Sequence, residues 1–190
     1  MGRVGNELHL NGITTGGEFF SDVATFSDGS YIVAYSDTSY TDGEENSGIR
    51  ARIFDKNGVG GPDIHVNTTV AGGQYQAKIA ILADGKFVIS WNDEGATGGD
   101  TDGDAIRAQI YNRNGTKVGG EFIVNTTTAG NQDNTSIVAL PNGGFVVTWD
   151  DTSGQGGDAS GTSIKAQIFT PLNNGADTPL PLSVTTALKD

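Results

Sequence analysis

Residues 79–93 read IAILADGKFVISWND, and the chain contains this stretch twice more, as VATFSDGSYIVAYSD at 23–37 and IVALPNGGFVVTWDD at 137–151. An aromatic residue keeps its place near the end of each copy: Tyr35, Trp91 and Trp149. A period of roughly 57 residues is typical of chains in which each copy is one supersecondary unit that packs against the next. One repeated unit is therefore expected to decide the fold.

Four short antiparallel strands are predicted in each repeat. In the second repeat the first strand is 79–82, and it ends at an Asp-Gly pair that favours a tight hairpin turn with positive φ at both central residues. The next strand, 87–91, alternates so that its bulky apolar residues share one face, which is predicted to be core. After a long polar loop come 106–111, with a small alanine at the middle inward position, and 121–125.

No helical periodicity of useful length appears, so the predicted fold class is all-β. Three tandem four-stranded antiparallel repeats resemble the blades of a β-propeller, and a β-prism or a stacked β-sandwich array is the alternative. The predicted boundaries are an extra N-terminal strand region and three repeats: 1–22, 23–78, 79–136 and 137–190.

The predicted fourth strand occurs once more often than the other three. Residues 7–11 carry an extra copy ahead of the first repeat, and residues 182–185 carry the last copy. An unpaired strand is a template for association. The expected partners are therefore neighbouring copies of the chain, or adjacent repeats, joined through edge strands.

Charge and composition exclude two classes of partner. The chain has 23 acidic and 11 basic residues and a net charge of −12, a field that repels phosphates, so nucleic-acid binding is not expected. No apolar run is long enough to span a bilayer, so membrane insertion is not expected either. Cations are the favoured small partners.

Three segments carry a family resemblance: GGEFIVNTTTAGNQ at 119–132, ALPNGGFVVTWDD at 139–151 and IKAQIF at 164–169. They resemble a tandem β-repeat of very large secreted bacterial proteins that often also carry hemolysin-type (RTX) calcium-binding repeats and adhesin modules. The resemblance covers nearly the whole chain. It implies an extracellular, cell-surface setting, an association with calcium and no defined enzymatic activity. The chain lacks the tandem nonapeptide of RTX rolls, so the calcium sites of those rolls are not carried over.

The loops between the second and third strands hold about half of the acidic residues. The loop of the second repeat contains DTDGD at 100–104, in which alternate aspartates are separated by small residues. Calcium binds six to eight oxygens, and a curled loop of this kind can supply several of them. The predicted calcium ligands are Asp93, Asp100, Asp102 and Asp104, and the alternative is a solvated acidic loop without an ion.

Other candidate residues favour structural roles. A cation follows the first apolar residue of each third strand, where a charge pair is expected, either with the loop acids or with an aspartate of the neighbouring strand. The strand pairs would be Arg50 with Asp37, Arg107 with Asp93, and Lys165 with Asp151. His9 and His65 match in register, but two histidines without a third partner make a weak metal site. Several aromatic side chains are candidates for stacking on sugar rings: Phe19, Phe20, Tyr40 and Tyr75.

No catalytic constellation stands out. The chain has no cysteine nucleophile and no serine in a GxSxG motif, and its paired carboxylates lie on loops without an embracing aromatic cleft. The sequence therefore predicts a non-enzymatic, extracellular β-repeat module of a bacterial surface or adhesin-like protein, stabilised by calcium. The alternatives are a self-assembling filament or array subunit joined by exchange of terminal strands, and a carbohydrate-binding module that contacts cell-surface glycans.

Overall fold

The computed structural model describes residues 5–171, and these residues form eleven strands in three antiparallel sheets. Within this part of the chain there is no helix, and so none of the length and apolarity needed to cross a membrane. The all-β fold with tandem, blade-like sheets is confirmed. The predicted fourth strand of the third repeat, at 182–185, lies outside the described residues.

Each sheet follows the order of its strands along the chain. The first sheet contains β1 (Glu18–Thr25), β2 (Tyr31–Asp37), β3 (Gly48–Phe54) and β4 (Gly60–His65). The second sheet contains β5 (Gln74–Ile81), β6 (Phe87–Asp93), β7 (Ala105–Tyr111) and β8 (Lys117–Ile123). The third sheet contains β9 (Gln132–Ala139), β10 (Phe145–Asp151) and β11 (Ser163–Phe169).

The hairpin turns differ from the prediction of two adjacent residues with positive φ. In the turn from β1 to β2 only Gly29 is left-handed, with a φ of 86°, and its amide donates to the Phe26 carbonyl. This is a type I turn followed by a glycine in the left-handed region. Asp28 stays right-handed because its carboxylate accepts the Ser30 amide at 3.0 Å and so caps the turn.

The first strand of each sheet begins five residues earlier than predicted, because a β-bulge interrupts the alternation from which the prediction was made. Each bulge contains one left-handed residue that is not glycine: Phe20 with a φ of 54°, Gln76 with 58° and Asn134 with 56°. The three first strands lie next to one another, since β5 contacts β1 on one side and β9 on the other.

Two apolar layers between the sheets form the core. Ile32 and Ile49 of the first sheet pack with Phe87, Ile89 and Trp91 of the second. The opposite face of the second sheet packs on the third sheet through a second set: Val88, Ile106, Ala108, Phe145, Val147 and Trp149. The second sheet is thus buried on both faces, and every residue of β6 and β7 is buried.

The extra N-terminal strand predicted at 7–11 is not formed. These residues lie across the outer face of the first sheet, where Leu10 packs with Val33, Tyr35 and Phe54. The Leu10 carbonyl accepts a hydrogen bond from Arg52 Nη1 at 3.2 Å. Val66, which follows β4, takes the equivalent position on the second sheet, where its carbonyl accepts a hydrogen bond from the Tyr111 hydroxyl at 3.1 Å. Residues 7–11 thus lie on the first sheet as the segment after β4 lies on the second.

Candidate functional site

The cations on the third strands form the expected charge pairs in two repeats. Arg50 Nε lies 3.2 Å from Asp37 Oδ2, and Arg107 Nε pairs with Asp93 Oδ2, with all four side chains almost completely buried. The prediction fails in the third repeat, where Lys165 Nζ donates to the Gln155 carbonyl at 2.5 Å. A guanidinium has several donors, so Arg50 and Arg107 bond both to the aspartate of the neighbouring strand and to the loop, through Thr41 and Thr97. The single ammonium nitrogen of Lys165 bonds to the loop.

One cluster of acids with a histidine was missed by sequence reasoning. Among the described residues, a single group of three or more side chains brings possible metal-ligating atoms together: Asp42, Glu44 and His65. His65 Nε2 lies 3.0 Å from Glu44 Oε1, and burial lowers the pKa of His65 although the Glu44 charge opposes this. Arg50 supplies the positive charge here, since it pairs with Asp42 and lies 3.6 Å from Glu44. The only sequence signal was His65 itself, which the second repeat replaces with Ile123.

The four predicted calcium ligands each bind a partner within the chain. Asp93 Oδ1 accepts from Gln74 Nε2 at 3.1 Å, in addition to the Arg107 pair. Asp100 is fully buried, its pKa is raised by burial, and its Oδ2 accepts from Asn125 Nδ2 at 2.7 Å. Asp102 accepts the Gly130 amide at 3.3 Å. The calcium site stays a prediction.

Asp104 belongs to a different arrangement, a carboxyl pair with Asp133. Burial raises the pKa of Asp104 to about 6, and the hydrogen bond and negative charge of Asp133 add to the rise. Tyr75 donates to Asp104 Oδ2 at 3.3 Å. A second carboxylate beside a carboxyl group disfavours its ionisation, so Asp104 takes up a proton as the pH falls to about 6. We call these three residues the acid pair with its tyrosine.

The bulges of the three first strands converge on one cleft of about 350 Å³. Its lining comes from all three sheets, and we name it the bulge cleft: Phe20, Ser21, Gln76, Lys78, Asn134 and Thr135. Five of the six side chains are polar, and the sixth is an aromatic ring on a residue that is 52% exposed. The acid pair adjoins the cleft along the chain, because Tyr75 precedes Gln76 and Asp133 precedes Asn134.

Hydrogen bonds within and between the sheets hold the bulges in place. The Gln76 amide donates to Ser36 Oγ at 3.2 Å, and Asn92 Nδ2 donates to Gln76 Oε1 at 2.8 Å. On the other side, Thr135 Oγ1 lies 3.0 Å from Ser90 Oγ in a buried contact. Asn134 Nδ2 donates to Asp150 Oδ2 at 2.9 Å. The polar walls of the cleft are therefore fixed before any ligand arrives.

The four aromatic residues that were candidates for stacking on sugar rings lie in different places. Phe20 lines the bulge cleft, and its ring meets Phe19 edge to face with centroids 5.1 Å apart. Tyr75 is half-buried and bonded to Asp104. Tyr40 is 56% exposed on the loop after β2, outside the cleft lining. Sequence reasoning gave all four residues equal standing because it could not place the bulges.

No protein-family model and no curated protein sequence matches the chain. The solved structures that are similar in fold include two enzymes. One is an N-acetylgalactosamine deacetylase from F. plautii in complex with blood group B trisaccharide, with 13% identity and a TM-score of 0.51. The other is an endo-arabinase from Bacteroides thetaiotaomicron, with 16% identity and a TM-score of 0.55.

These likenesses cover 83% and 85% of this chain but only 51% and 60% of the solved chains. This chain therefore spans little more than half the length of the proteins that it resembles. The prediction that the chain is not an enzyme is contradicted, because both solved structures are enzymes. The lack of a cysteine and of a GxSxG motif was weak support for that prediction, since a pair of carboxyl groups alone can hydrolyse a glycosidic bond.

Proposed function

We propose that the chain is a carbohydrate-binding unit and that its binding site is the bulge cleft. Amide, hydroxyl and ammonium groups hydrogen-bond sugar hydroxyls, while an aromatic ring offers the apolar face of a pyranose a flat surface. The bulge cleft combines these groups, and about 350 Å³ is enough for a small ligand. Two similar folds belong to proteins whose names describe action on sugars, which supports the same ligand class.

The observation that carries the proposal is the backbone of the three bulges. A residue other than glycine with positive φ is uncommon, and for a bulky ring it is strained. Phe20 nevertheless has a φ of 54° and leaves its ring half exposed at the cleft. Asparagine tolerates this conformation best, yet only one of the three bulges uses it. Strained backbone of this kind clusters at ligand sites, where the surrounding contacts hold it in place, and this supports a site at the bulges.

We also propose a location for the protein and a role for calcium. The resemblance to repeats of secreted bacterial proteins supports an extracellular location and an adhesin-like context. Calcium is proposed as a stabiliser of the acidic loop at 100–104, and the carbohydrate site does not depend on it.

A glycan array probed with the chain tests the carbohydrate proposal. We expect binding that falls at least tenfold in Phe20→Ala and in Gln76→Ala. Tyr40→Ala is the matched control, because Tyr40 is also an exposed aromatic residue with positive φ, at 55°, but lies outside the cleft. Binding that survives Phe20→Ala, or that only Tyr40→Ala removes, would show that the site is elsewhere. No binding to any glycan would overturn the proposal.

A second candidate function is hydrolysis of the bound sugar by the acid pair. The pKa of about 6 for Asp104 means that this carboxyl can donate a proton to a leaving oxygen in mildly acidic solution. Water would attack the anomeric carbon while Asp104 protonates the leaving oxygen and Asp133 takes the proton of the water. We expect sugar release from array-positive glycans to peak below pH 7 and to be lost in Asp104→Asn. Release that is unchanged in that variant would exclude the acid pair, and no release would leave the chain as a binding unit.

A further inference from the structure

The third sheet has one apolar face that the described residues do not cover. The contrast is clearest at one position of the third strand, where Ile49 and Ile106 are each 0% exposed but Ile164 is 74% exposed. The first strand shows the same change, from 5% exposed at Ala80 to 59% at Val138. We call this surface the open face, and it is formed by Val138, Leu140, Val146, Ile164, Ala166 and Ile168.

In the second sheet, the same face is covered by the third sheet. Ala80, Val88 and Ile106 pack there against a set of side chains from the opposite face of the third sheet: Ile137, Phe145, Val147, Trp149 and Phe169. The first sheet is covered by the second sheet in the same way. The first and second sheets thus both bury this face against the next sheet along the chain.

The first sheet presents the matching surface at the other end of the array. The repeat register makes these residues the counterparts of the covering set, and they form the outer face of the first sheet: Val23, Tyr31, Val33, Tyr35 and Phe54. Val23 is 59% exposed there, whereas Val33, Tyr35 and Phe54 are already buried, with Leu10 packed on them. Residues 7–11 therefore form part of this surface, just as Val66 forms part of the contact between the first two sheets. A groove of about 280 Å³ also opens on this side, between residues 8–11 and the side chains of Phe19 and Val33.

We propose that the open face binds the outer face of the first sheet in a second copy of this chain. The contact continues the two sheet-to-sheet interfaces already present within the chain and uses the same register positions. Each chain has one surface of each kind, so two copies can make two such contacts and close a ring of six sheets. Six lies within the range of four to eight that closed rings of such sheets contain, and closure ends further growth.

Size-exclusion chromatography with light scattering on the full chain tests this proposal. We expect a mass twice that of the 19.7-kDa chain, and a monomer for Ile164→Glu, since a buried charge at the interface would be unpaired. Val59→Glu is the matched control, because Val59 is 67% exposed but lies in the turn between β3 and β4. A monomeric wild-type chain, or a dimer that persists in Ile164→Glu, would overturn the proposal.

Cross-linking distinguishes this head-to-tail contact from a symmetric one. The chain contains no cysteine, so Val138→Cys and Val23→Cys each introduce a single thiol. A short bis-maleimide should link the two variants when they are mixed and neither variant when it is alone. Both positions are 59% exposed, so a folding defect is not expected, and circular dichroism melts check this. Linking of Val138→Cys to itself would contradict the proposed orientation.

Discussion

Glu121 ties the first two sheets together, and its replacement by glutamine measures that link. On β8, Glu121 Oε2 accepts from the Thr68 amide at 2.6 Å and from the Thr68 hydroxyl at 2.9 Å. Its Oε1 accepts from the Thr69 hydroxyl at 2.7 Å and from Arg107 Nη1 at 2.9 Å. Thr68 and Thr69 follow β4, so the carboxylate fixes the connection from the first sheet to the second.

Glutamine keeps the shape of this side chain but loses its charge. The oxygen of glutamine can still accept from Thr68, while its amide group would face Arg107, a donor facing a donor. A hydrogen bond to a charged group contributes about 1.5–3 kcal/mol, and a neutral one about 0.5–1.5 kcal/mol. Loss of the Arg107 bond and weakening of the others therefore costs about 2–4 kcal/mol. For a chain of this size, that lowers Tm by roughly 5–15 °C.

The pH dependence of this effect has a definite sign. Burial alone would raise the pKa of Glu121, but the hydrogen bonds from Thr68 and Thr69 and the charge of Arg107 hold it below its ordinary value of 4.5. A carboxyl group whose pKa is lowered by folding stabilises the folded state at pH values above its pKa in the unfolded chain. This contribution is lost as the pH falls through the pKa of the group in the folded state. The difference in Tm between the wild type and Glu121→Gln should thus be full at pH 7 and shrink below about pH 4.5.

Thermal melts followed by circular dichroism from pH 7 to pH 3 provide the measurement. Glu45→Gln is a suitable control, because Glu45 is exposed and accepts one amide, that of Gly72, at 3.1 Å. We expect the control to melt within a degree or two of the wild type, consistent with a surface contact. Equal melting of Glu121→Gln and the wild type at pH 7 would refute the reasoning. So would a difference that stays constant down to pH 3.

Three further changes have clear expected outcomes. Trp91→Ala empties a fully buried position in the core between the first two sheets, so it should cost about 3–5 kcal/mol in a urea titration. Asp104→Asn should raise Tm at pH 7 but not at pH 4, because the raised pKa of about 6 makes the ionised Asp104 destabilising above that pH. If calcium binds the loop at 100–104, its removal with EGTA should lower Tm by several degrees in the wild type and not in Asp102→Asn; equal melts with and without calcium would contradict the site.

The sequence predicted the parts of the fold that repeat in residue type. The turn glycines, the apolar alternation of 87–91 and the recurring aromatic residue all predicted strands that the structure contains. The bulges escaped because their three copies share a backbone conformation but no side-chain chemistry: Phe20, Gln76 and Asn134. A pattern of residue types cannot reveal a conformation that three unrelated side chains adopt.

The candidate sites show the same limit at longer range. Asp104 was grouped with its loop neighbours as a calcium ligand, but burial and the neighbouring Asp133 raise its pKa, and Tyr75 donates a hydrogen bond to it. Asp133 and Tyr75 lie on two different strands, far from Asp104 along the chain. Likewise, Glu44 and His65 are brought together by the end of β4, and nothing in their local sequence announces it. Proximity that arises from sheet packing is invisible to spacing along the chain.

Equivalent positions of the three repeats nevertheless fall into two groups once the structure is known: those that keep an apolar side chain and those that keep only a backbone conformation. All copies keep an apolar residue at Ile49, Ile106 and Ile164. The position buries surface between sheets in the first two copies, and its exposure in the last copy is the ground for the proposed contact with a second chain. At the bulges, the copies keep a strained backbone but change the side chain, so packing is not what is being preserved. That strain recurs three times around one cleft, and this recurrence is the ground on which a ligand site is proposed there.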